Sequence, residues 1–252
     1  MLYTNLILTA CLVLAVNLVE CKKLPDFIPQ CKKNDPKFDQ CVLKAIEAVR
    51  PQLNKGIPKI RVPALEPLVI PQLNITRNLP NLDVKAYLSN IKVIGANTFS
   101  VTKLKCDTEA LVLEMTVRLP LITATCNYDV DGRLLVIPLK GKGEFKGNFT
   151  DIVADVKGTG EIVSSKKGVK YVNIKTVRSK IKVGGQQSKV VNTDGDRNNE
   201  IITNTAFTFI NQNWRQVLQV ITPIMEETAD AIIKSMGNNI LRAIPYSELL
   251  PQ

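Results

Sequence analysis

Histidine is absent from the whole 252-residue sequence, and this absence limits the chemistry that the chain can perform. No Ser-His-Asp triad, Cys-His dyad or histidine-ligated zinc or iron site can be assembled from the chain alone. The adjacent Glu226 and Glu227 fall on the polar face of a predicted helix, which indicates solvated side chains rather than an acid–base pair. We therefore expect no catalytic residue, no metal ligand and no cofactor, and a binding protein rather than an enzyme.

The segment 192–200, with the sequence NTDGDRNNE, is the stretch whose composition suggests a metal site. Its Asp194-Gly195-Asp196 centre lacks the alternating oxygen-ligand spacing of a calcium loop. The density of Asp, Asn and Gly instead favours a surface turn ahead of the long helix that follows. We predict neither a calcium site here nor a glycine-rich phosphate site elsewhere.

The first 21 residues have the character of an export signal. Leu6–Val19 is almost entirely apolar, but this run is shorter than the about 20 residues that a spanning helix needs. We predict a secretory signal peptide at residues 1–21, cleaved after Cys21, and a single extracellular domain at residues 22–252; an uncleaved amino-terminal anchor is the alternative. Two sequons agree with secretion and are candidate glycosylation sites: Asn74-Ile75-Thr76 and Asn148-Phe149-Thr150.

Cleavage there would leave four cysteines. Cys31 and Cys41 are ten residues apart around a turn-forming Asn-Asp-Pro sequence, so we predict a disulfide between them in an oxidising compartment. Two free thiols are the alternative. Cys106 and Cys126 are predicted to stay reduced, because they fall on strands that flank a strand at 111–119. Strands two apart are separated by about 9.5 Å, which is too far for a disulfide.

Periodicity predicts a helix near each end of the mature chain. Phe38–Asn54 carries apolar residues at near-helical spacing, and Pro51 should kink or end that helix. The proline-rich stretch 58–80 excludes helix and favours extended edge structure. From Phe207 to Ile244, apolar residues recur at steps of three and four, which predicts one long amphipathic helix that Pro223 bends without ending.

Between these helices, from about Leu82 to Val191, apolar and polar residues alternate and predict a series of strands. One strand covers 111–119 and the next covers 121–131. The predicted breaks and turns are Leu119-Pro120, Asp131-Gly132 and Lys166-Lys167-Gly168. These strands form an antiparallel meander with one apolar face, and the long helix needs an extended partner surface. We therefore expect the sheet and the helix to pack together in one domain.

Three groups of motifs lie along the chain in a recognisable order. They are CKKNDP at 31–36 with Cys41 and KGIP at 55–58; GRLLVIPLKGKG at 132–143; and NQNWR at 211–215 with Pro223 and PYSELLP at 245–251. Together they resemble the takeout and juvenile hormone-binding family of insects. The resemblance covers nearly the whole mature chain.

This resemblance implies an α+β fold in which a strongly curved antiparallel sheet wraps a long carboxyl-terminal helix and encloses an elongated hydrophobic tunnel for a lipophilic molecule. The juvenile hormone carriers of the family have a second disulfide to the carboxyl-terminal helix, and this chain has no cysteine after Cys126. The departure favours the takeout-like members, which include circadian clock-controlled and feeding-linked proteins. The implied location is haemolymph or another extracellular fluid.

Small residues on the apolar face of the sheet would leave room for such a ligand, although ordinary packed core is the alternative for these positions. An apolar tunnel binds by removing about 25 cal/mol per Å² of ligand surface from water. The predicted ligand is terpenoid hormone-like, fatty-acid-like or another long apolar molecule. The predicted tunnel-lining residues are Leu113, Met115, Val117, Ile122, Ala124, Cys126, Tyr128, Ala154, Trp214, Val217, Leu218, Ile221 and Met225.

Basic residues are concentrated between Lys157 and Lys189, where nine of them stand against one acid, Glu161. One interpretation is a patch for transient contact with an anionic membrane surface or an acidic receptor, and this gives the alternative function of a secreted membrane-surface or partner-binding protein. The other interpretation is a solvated strand face whose lysines discourage edge pairing. Nucleic acid is not expected as a partner, because the stretch has a single aromatic residue, Tyr171. We expect a monomer.

Overall fold

The computed structural model describes residues 23–252, which form a seven-stranded antiparallel sheet packed against two consecutive helices. The strands are β1 (Leu68–Leu79), β2 (Leu82–Ile94), β3 (Ser100–Asp107), β4 (Val112–Leu134), β5 (Ile137–Ser164), β6 (Lys170–Lys182) and β7 (Gly185–Asn192). The helices are α1 (Phe38–Val49), α2 (Arg197–Gln212), α3 (Trp214–Leu241) and α4 (Tyr246–Leu249). This curled sheet around a long carboxyl-terminal helix confirms the predicted α+β fold. The predicted signal peptide lies outside the described residues.

The two central strands, β4 and β5, pair in one constant register from Val112 opposite Thr159 to Leu134 opposite Ile137. β4 is therefore a single strand, and the predicted break at Leu119-Pro120 and hairpin at Asp131-Gly132 are wrong. The turn lies at Leu135 and Val136. Pro120 is tolerated because β3 pairs with β4 only as far as Arg118 and β2 begins to pair at Thr123. A proline without an N–H disrupts no ladder in that gap.

The set of alternate β4 residues that point to the concave side of the sheet changes at Pro120. Before it, alternate residues from Leu113 to Val117 are shielded, while Glu114 and Arg118 are exposed; after it, Leu121 is exposed and Ile122 is shielded. On β5 the matching position is Asp151, which has a φ of 52° and takes no part in the β4–β5 ladder. Both strands therefore rotate at this point. Odd-numbered residues face the helix before Pro120 on β4 and before Asp151 on β5, and even-numbered residues face it after them.

The carboxyl-terminal helix is two helices rather than the one predicted from Phe207 to Ile244. α2 ends and α3 begins at Asn213, and α3 continues through Pro223. α2 begins at Arg197, so the predicted turn at 192–200 is wrong for its last four residues. The Asp196 carboxylate caps this helix by accepting from the backbone N–H groups of Asn198 and Asn199. The apolar period did not reveal the break because both helices pack on the same sheet.

Side-chain amides of these two helices cover one edge of the sheet. Asn238 of α3 accepts from the Ile174 N–H of β6 at 2.6 Å and donates to its carbonyl at 3.3 Å. Asn211 of α2 makes the same pair of bonds with Ser188 of β7, at 2.9 and 2.8 Å. Each amide takes the place of a neighbouring strand, so the edge formed by β6 and β7 is closed at these points.

The adjacent carboxylates of α3 connect the helix to both sides of the sheet. Glu226 accepts from the Ile181 N–H of β6 at 3.0 Å, and its side chain is only 14% exposed. Glu227 pairs with Arg77 of β1, on the opposite edge. The prediction that both carboxylates are solvated is wrong for Glu226, because the sheet curves around α3 and brings the backbone of β6 within hydrogen-bond distance of this side chain.

One cluster of buried apolar side chains lies at the end of the molecule near the β4–β5 turn. There, Leu82 and Val84 of β2 and Leu134 of β4 pack against Val217 and Ile224 of α3. A second, smaller cluster joins the segment after α1 to the end of α3 through Ile57, Ile60 and Ile244. Apolar cavities adjoin both clusters, since Leu134 and Val217 of the first line one cavity, and Leu24 and Leu249, which pack against the second, line another. No helix among residues 23–252 is both long enough and apolar enough to cross a membrane.

Candidate functional site

The larger apolar cavity, of about 350 Å³, lies where the start of β4 meets α1 and the end of α3. The sheet contributes Cys106, Asp107, Thr108, Leu111, Val112, Leu113, Met115, Val156, Gly158, Thr159, Gly160, Val172, Ile174 and Val177. The helices and the two end segments of residues 23–252 contribute Leu24, Ile28, Pro29, Cys31, Phe38, Val42, Ala45, Ile233, Leu241, Leu249 and Leu250. The lining is almost entirely hydrocarbon, so this cavity suits an apolar ligand.

Two glycines on the concave face of β5, Gly158 and Gly160, line this cavity. A Cβ atom built on Gly158 would approach nothing closer than the Thr176 carbonyl oxygen at 4.0 Å. One built on Gly160 would lie 3.2 Å from a methyl group of Val172. An interior strand position occupied by glycine leaves unfilled volume where other residues would pack. Gly158 therefore leaves part of the cavity unfilled, whereas at Gly160 the Val172 methyl group already takes up the space.

The end wall of the cavity is assembled from parts of the chain that are distant in sequence. The predicted disulfide between Cys31 and Cys41 is present and joins the amino-terminal segment to α1. The Lys33 N–H donates to the Pro251 carbonyl oxygen at 2.8 Å, which ties that segment to the last residues of the chain. The Lys33 ammonium pairs with Glu109 at 2.8 Å beside the turn between β3 and β4. This wall bounds one end of the cavity without a strand of its own.

The polar groups along the lining are engaged with nearby backbone. The Thr108 hydroxyl donates to the Lys33 carbonyl oxygen at 3.3 Å. The Asp107 carboxylate accepts from the N–H groups of Glu109 and Ala110 at 3.0 and 2.8 Å. Burial, with a smaller contribution from the Asp39 carboxylate, raises the pKa of the Cys106 thiol to about 12. The thiol is therefore neutral, and recognition here rests on apolar contact.

A second apolar cavity, of about 150 Å³, lies at the other end of α3. Its lining is Leu134, Phe145, Phe149, Gln186, Ser188, Phe207, Ile210, Trp214, Val217, Leu218 and Ile221. The rings of Phe145 on β5 and Phe207 on α2 have centroids 6.1 Å apart. The apolar space between sheet and helix thus consists of at least these two chambers, which lie towards opposite ends of the helix.

The structure brings six of the predicted lining residues to the two cavities and leaves seven outside them. Leu113 and Met115 line the larger cavity, and Trp214, Val217, Leu218 and Ile221 line the smaller one. Neither lining includes Val117, Ile122, Ala124, Cys126, Tyr128, Ala154 or Met225.

Two aromatic rings lie on the concave face of the sheet beside Ala124. Ala124 pairs with Gly147 on β5. A Cβ atom built on Gly147 would lie 2.6 Å from the Phe145 ring and 3.0 Å from the Phe149 ring. Those rings occupy the space that small residues on these strands would otherwise leave. Tyr128 is only 8% exposed, and burial raises the pKa of its phenol.

Sequence reasoning missed the contributions of α1, β6, α4 and the amino-terminal segment to the larger cavity. Gly158 and Gly160, at inward-facing alternate positions of a predicted strand, were the available signal for it. The wall formed by the termini left no such signal, because the contact between Lys33 and Pro251 depends on the complete fold. Within the described range 23–252, no three His, Cys, Asp or Glu side chains are grouped so as to hold a metal ion.

Comparison with known proteins agrees with this geometry. The model of the haemolymph juvenile hormone binding protein family matches residues 7–251. The circadian clock-controlled protein daywake of Drosophila melanogaster is 27% identical over 231 residues, which is 89% of this chain and 87% of that protein. Daywake of Drosophila yakuba is 26% identical over the same extent. The crystal structure of Takeout 1 from Epiphyas postvittana has a TM-score of 0.70 at 23% identity, covers 88% of this chain and 99% of its own, and shows the same fold.

Proposed function

Because the chain belongs to the haemolymph juvenile hormone binding protein family, whose members are ligand-binding carriers and not enzymes, we propose that it is a secreted carrier of a small lipophilic ligand. The observation that carries this proposal is the larger cavity. Its volume of about 350 Å³ is within the range of about 300–1,000 Å³ that is usual for small-molecule sites. Its hydrocarbon lining would bind by removing ligand surface from water, at about 25 cal/mol per Å² before ordering costs.

The ligand we propose is terpenoid hormone-like, fatty-acid-like or another long apolar molecule. Leu113 and Met115 on the sheet and Ile233 and Leu241 on α3 would contact it from opposite walls. The engaged state of the Thr108 hydroxyl favours ligands that bring few polar groups to this wall. Trp214, Val217, Leu218 and Ile221 would contact the far part of a ligand long enough to reach the second cavity.

Two measurements test ligand binding. Native mass spectrometry of the protein from its own source, followed by organic extraction, is expected to find a bound lipophilic molecule. For the recombinant chain, the neutral fluorophore N-phenyl-1-naphthylamine should gain fluorescence on binding, and a terpenoid ester or a long-chain fatty acid should displace it. An equally sized water-soluble ester serves as the control. Absence of both co-purified ligand and saturable probe binding would contradict the carrier function.

We further propose that residues 1–21 are removed on secretion, that residues 22–252 act as one monomeric domain, and that Asn74 and Asn148 are glycosylated. Asn74 is exposed on the edge strand β1, which supports access to it. Asn148 is partly exposed and accepts from the Thr123 hydroxyl at 3.0 Å. Intact-mass measurement of the secreted protein before and after glycosidase treatment, with size-exclusion light scattering, tests all three statements.

The relatives named for control by the circadian clock support a related physiological role for this chain. We propose that its abundance varies with the time of day or with feeding. Protein levels in extracellular fluid sampled over a day, from fed and starved animals, would test this. Constant levels in every condition would contradict it.

A further inference from the structure

The convex side of the sheet carries a cluster of cations that the carrier function does not use. We define the basic face by three successive cross-strand rows on β3, β4, β5 and β6. The rows are Lys105–Glu114–Lys157–Arg178, Lys103–Thr116–Asp155–Lys180 and Arg118–Val153–Lys182. The charged side chains among them are all exposed, and seven are basic while two are acidic. Adjacent rows thus concentrate positive charge on one continuous surface.

The two carboxylates on the basic face are already engaged. Glu114 pairs with Lys157 at 2.6 Å, and Asp155 accepts from the Thr116 hydroxyl at 2.6 Å. Among residues 23–252, the cations of this face that have no ion-pair partner within 4.0 Å are Lys103, Lys105, Arg118 and Lys182. These four can therefore attract an external anionic surface without first breaking an internal ion pair.

Protection of a sheet edge accounts for only part of this arrangement. Lys103 and Lys105 lie on β3, which pairs only with β4 and is an edge strand. Arg118 and Lys157 lie on β4 and β5, which have strands on both sides. The outer edge of β6 is already covered by α3, where Asn238 and Glu226 bond its backbone. Lysines are a device against edge pairing only where the strand edge is open.

The composition of the face favours a membrane over a protein partner. Five of the seven cations are lysines, and the three rows contain no aromatic residue. Specific protein interfaces are depleted in lysine and enriched in tyrosine, tryptophan and arginine. Mobile, strongly hydrated ammonium groups instead suit the delocalised charge of anionic lipid headgroups. We propose that the basic face docks the protein reversibly on anionic phospholipid membranes.

The placement of the face gives docking a role next to the ligand site. Glu114 and Lys157 alternate along their strands with Met115 and Val156, whose side chains line the larger cavity. The same strands therefore present the basic face to the outside and the cavity wall to the inside. The docking surface stands on the charge arrangement alone and does not depend on which ligand the cavity holds.

The test is co-sedimentation of the full mature chain with phosphatidylcholine vesicles that contain no or about one-third phosphatidylserine. Binding is expected only to the anionic vesicles and should weaken steeply as salt rises, because surface charges are screened within about 8 Å at physiological ionic strength. A triple variant, Lys103→Gln with Lys105→Gln and Lys182→Gln, should reduce partitioning about a hundredfold, at roughly fivefold per charge near the surface. A matched control variant, Lys44→Gln with Lys55→Gln and Lys59→Gln, removes three exposed lysines outside the face.

The control variant should retain near wild-type binding, and unchanged melting temperatures should accompany both sets of substitutions. Equal losses in both variants would overturn the basic face in favour of net charge alone. Equal binding to neutral vesicles would overturn the electrostatic mechanism. Absence of binding to anionic vesicles, together with binding to polyglutamate that the face variant abolishes, would replace the membrane by an acidic protein partner.

Discussion

Leucine in place of Gly158 should block the larger cavity while leaving the fold intact. Gly158 lies on the cavity wall, and a Cβ atom there meets nothing within 4 Å except one carbonyl oxygen at that distance. Its φ lies outside the left-handed region, so a side chain imposes no backbone strain. The new side chain would therefore extend into open volume rather than into packed neighbours.

The size of the expected loss in ligand affinity follows from the atoms that leucine adds. Its side chain has the volume of about four methylene groups, and each buried methylene contributes about 0.8 kcal/mol. A ligand that fills the cavity would lose roughly 3 kcal/mol of contact, which corresponds to more than a hundredfold in affinity. The ligand-free protein should keep its stability or gain about 0.5–2 kcal/mol, because the substitution fills a void.

The assay compares N-phenyl-1-naphthylamine titrations with urea unfolding of the ligand-free protein. Glu161→Leu is the matched control, since it adds a leucine to an exposed position of the same strand. It should bind the probe as the unsubstituted chain does. If Gly158→Leu destabilises the ligand-free protein by several kcal/mol, the position is packed rather than open. If stability and probe affinity are both unchanged, the cavity is not the binding site.

Three further predictions concern stability and reactivity. Burial raises the pKa of Cys106 to about 12 and that of Cys126 to about 11. Both thiols should therefore resist iodoacetamide at pH 8 in the native protein and react fully in urea, and mass mapping should find neither in a disulfide. Asn238→Ala leaves the N–H and carbonyl of Ile174 without their partner and should lower the free energy of unfolding, measured in urea, by about 2 kcal/mol. The control Asn239→Ala, at an exposed position, should change this free energy little. Burial opposes ionisation of Glu226, but its hydrogen bonds to the Ile181 N–H and to Lys180 outweigh burial and lower its pKa below 4.5. The stability that the ionised Glu226 contributes should therefore be present at neutral pH and be lost as the pH falls through that lowered pKa. Glu226→Gln should flatten this part of the pH–stability curve.

Local patterns were sufficient for the choice of elements and of buried faces. The alternation along residues 111–131 agrees with the exposure of Glu114, Arg118 and Asn127 and with the burial of Tyr128, because a strand's side-chain period depends only on the backbone. The helical period likewise identified the apolar stripe of α3 that contains Trp214 and Ile221. The spacing of Cys31 and Cys41 around a turn was enough to predict their disulfide.

Whether a strand or helix continues or is interrupted depended on the elements that pack beside it. Pro120 looked like a break because a proline lacks a donor, yet it lies where β4 changes from β3 to β2 as its partner. The interruption at Asn213 was hidden because α2 and α3 bury the same kind of face against one sheet. Glu226 looked solvated because a helical wheel does not show that the sheet curls around to reach it.

The cavities depended most on tertiary structure. A pattern of apolar residues shows which face is buried, but an empty volume is set by the distance between the two layers and by what closes their ends. Near Ala124 the rings of Phe145 and Phe149 take up the space, whereas at Gly158 no side chain does. The sequence by itself determined the layers and the apolar character between them. Only the tertiary packing of side chains such as Phe145, and of α1 and the two end segments of residues 23–252, decided where a ligand-sized space remains.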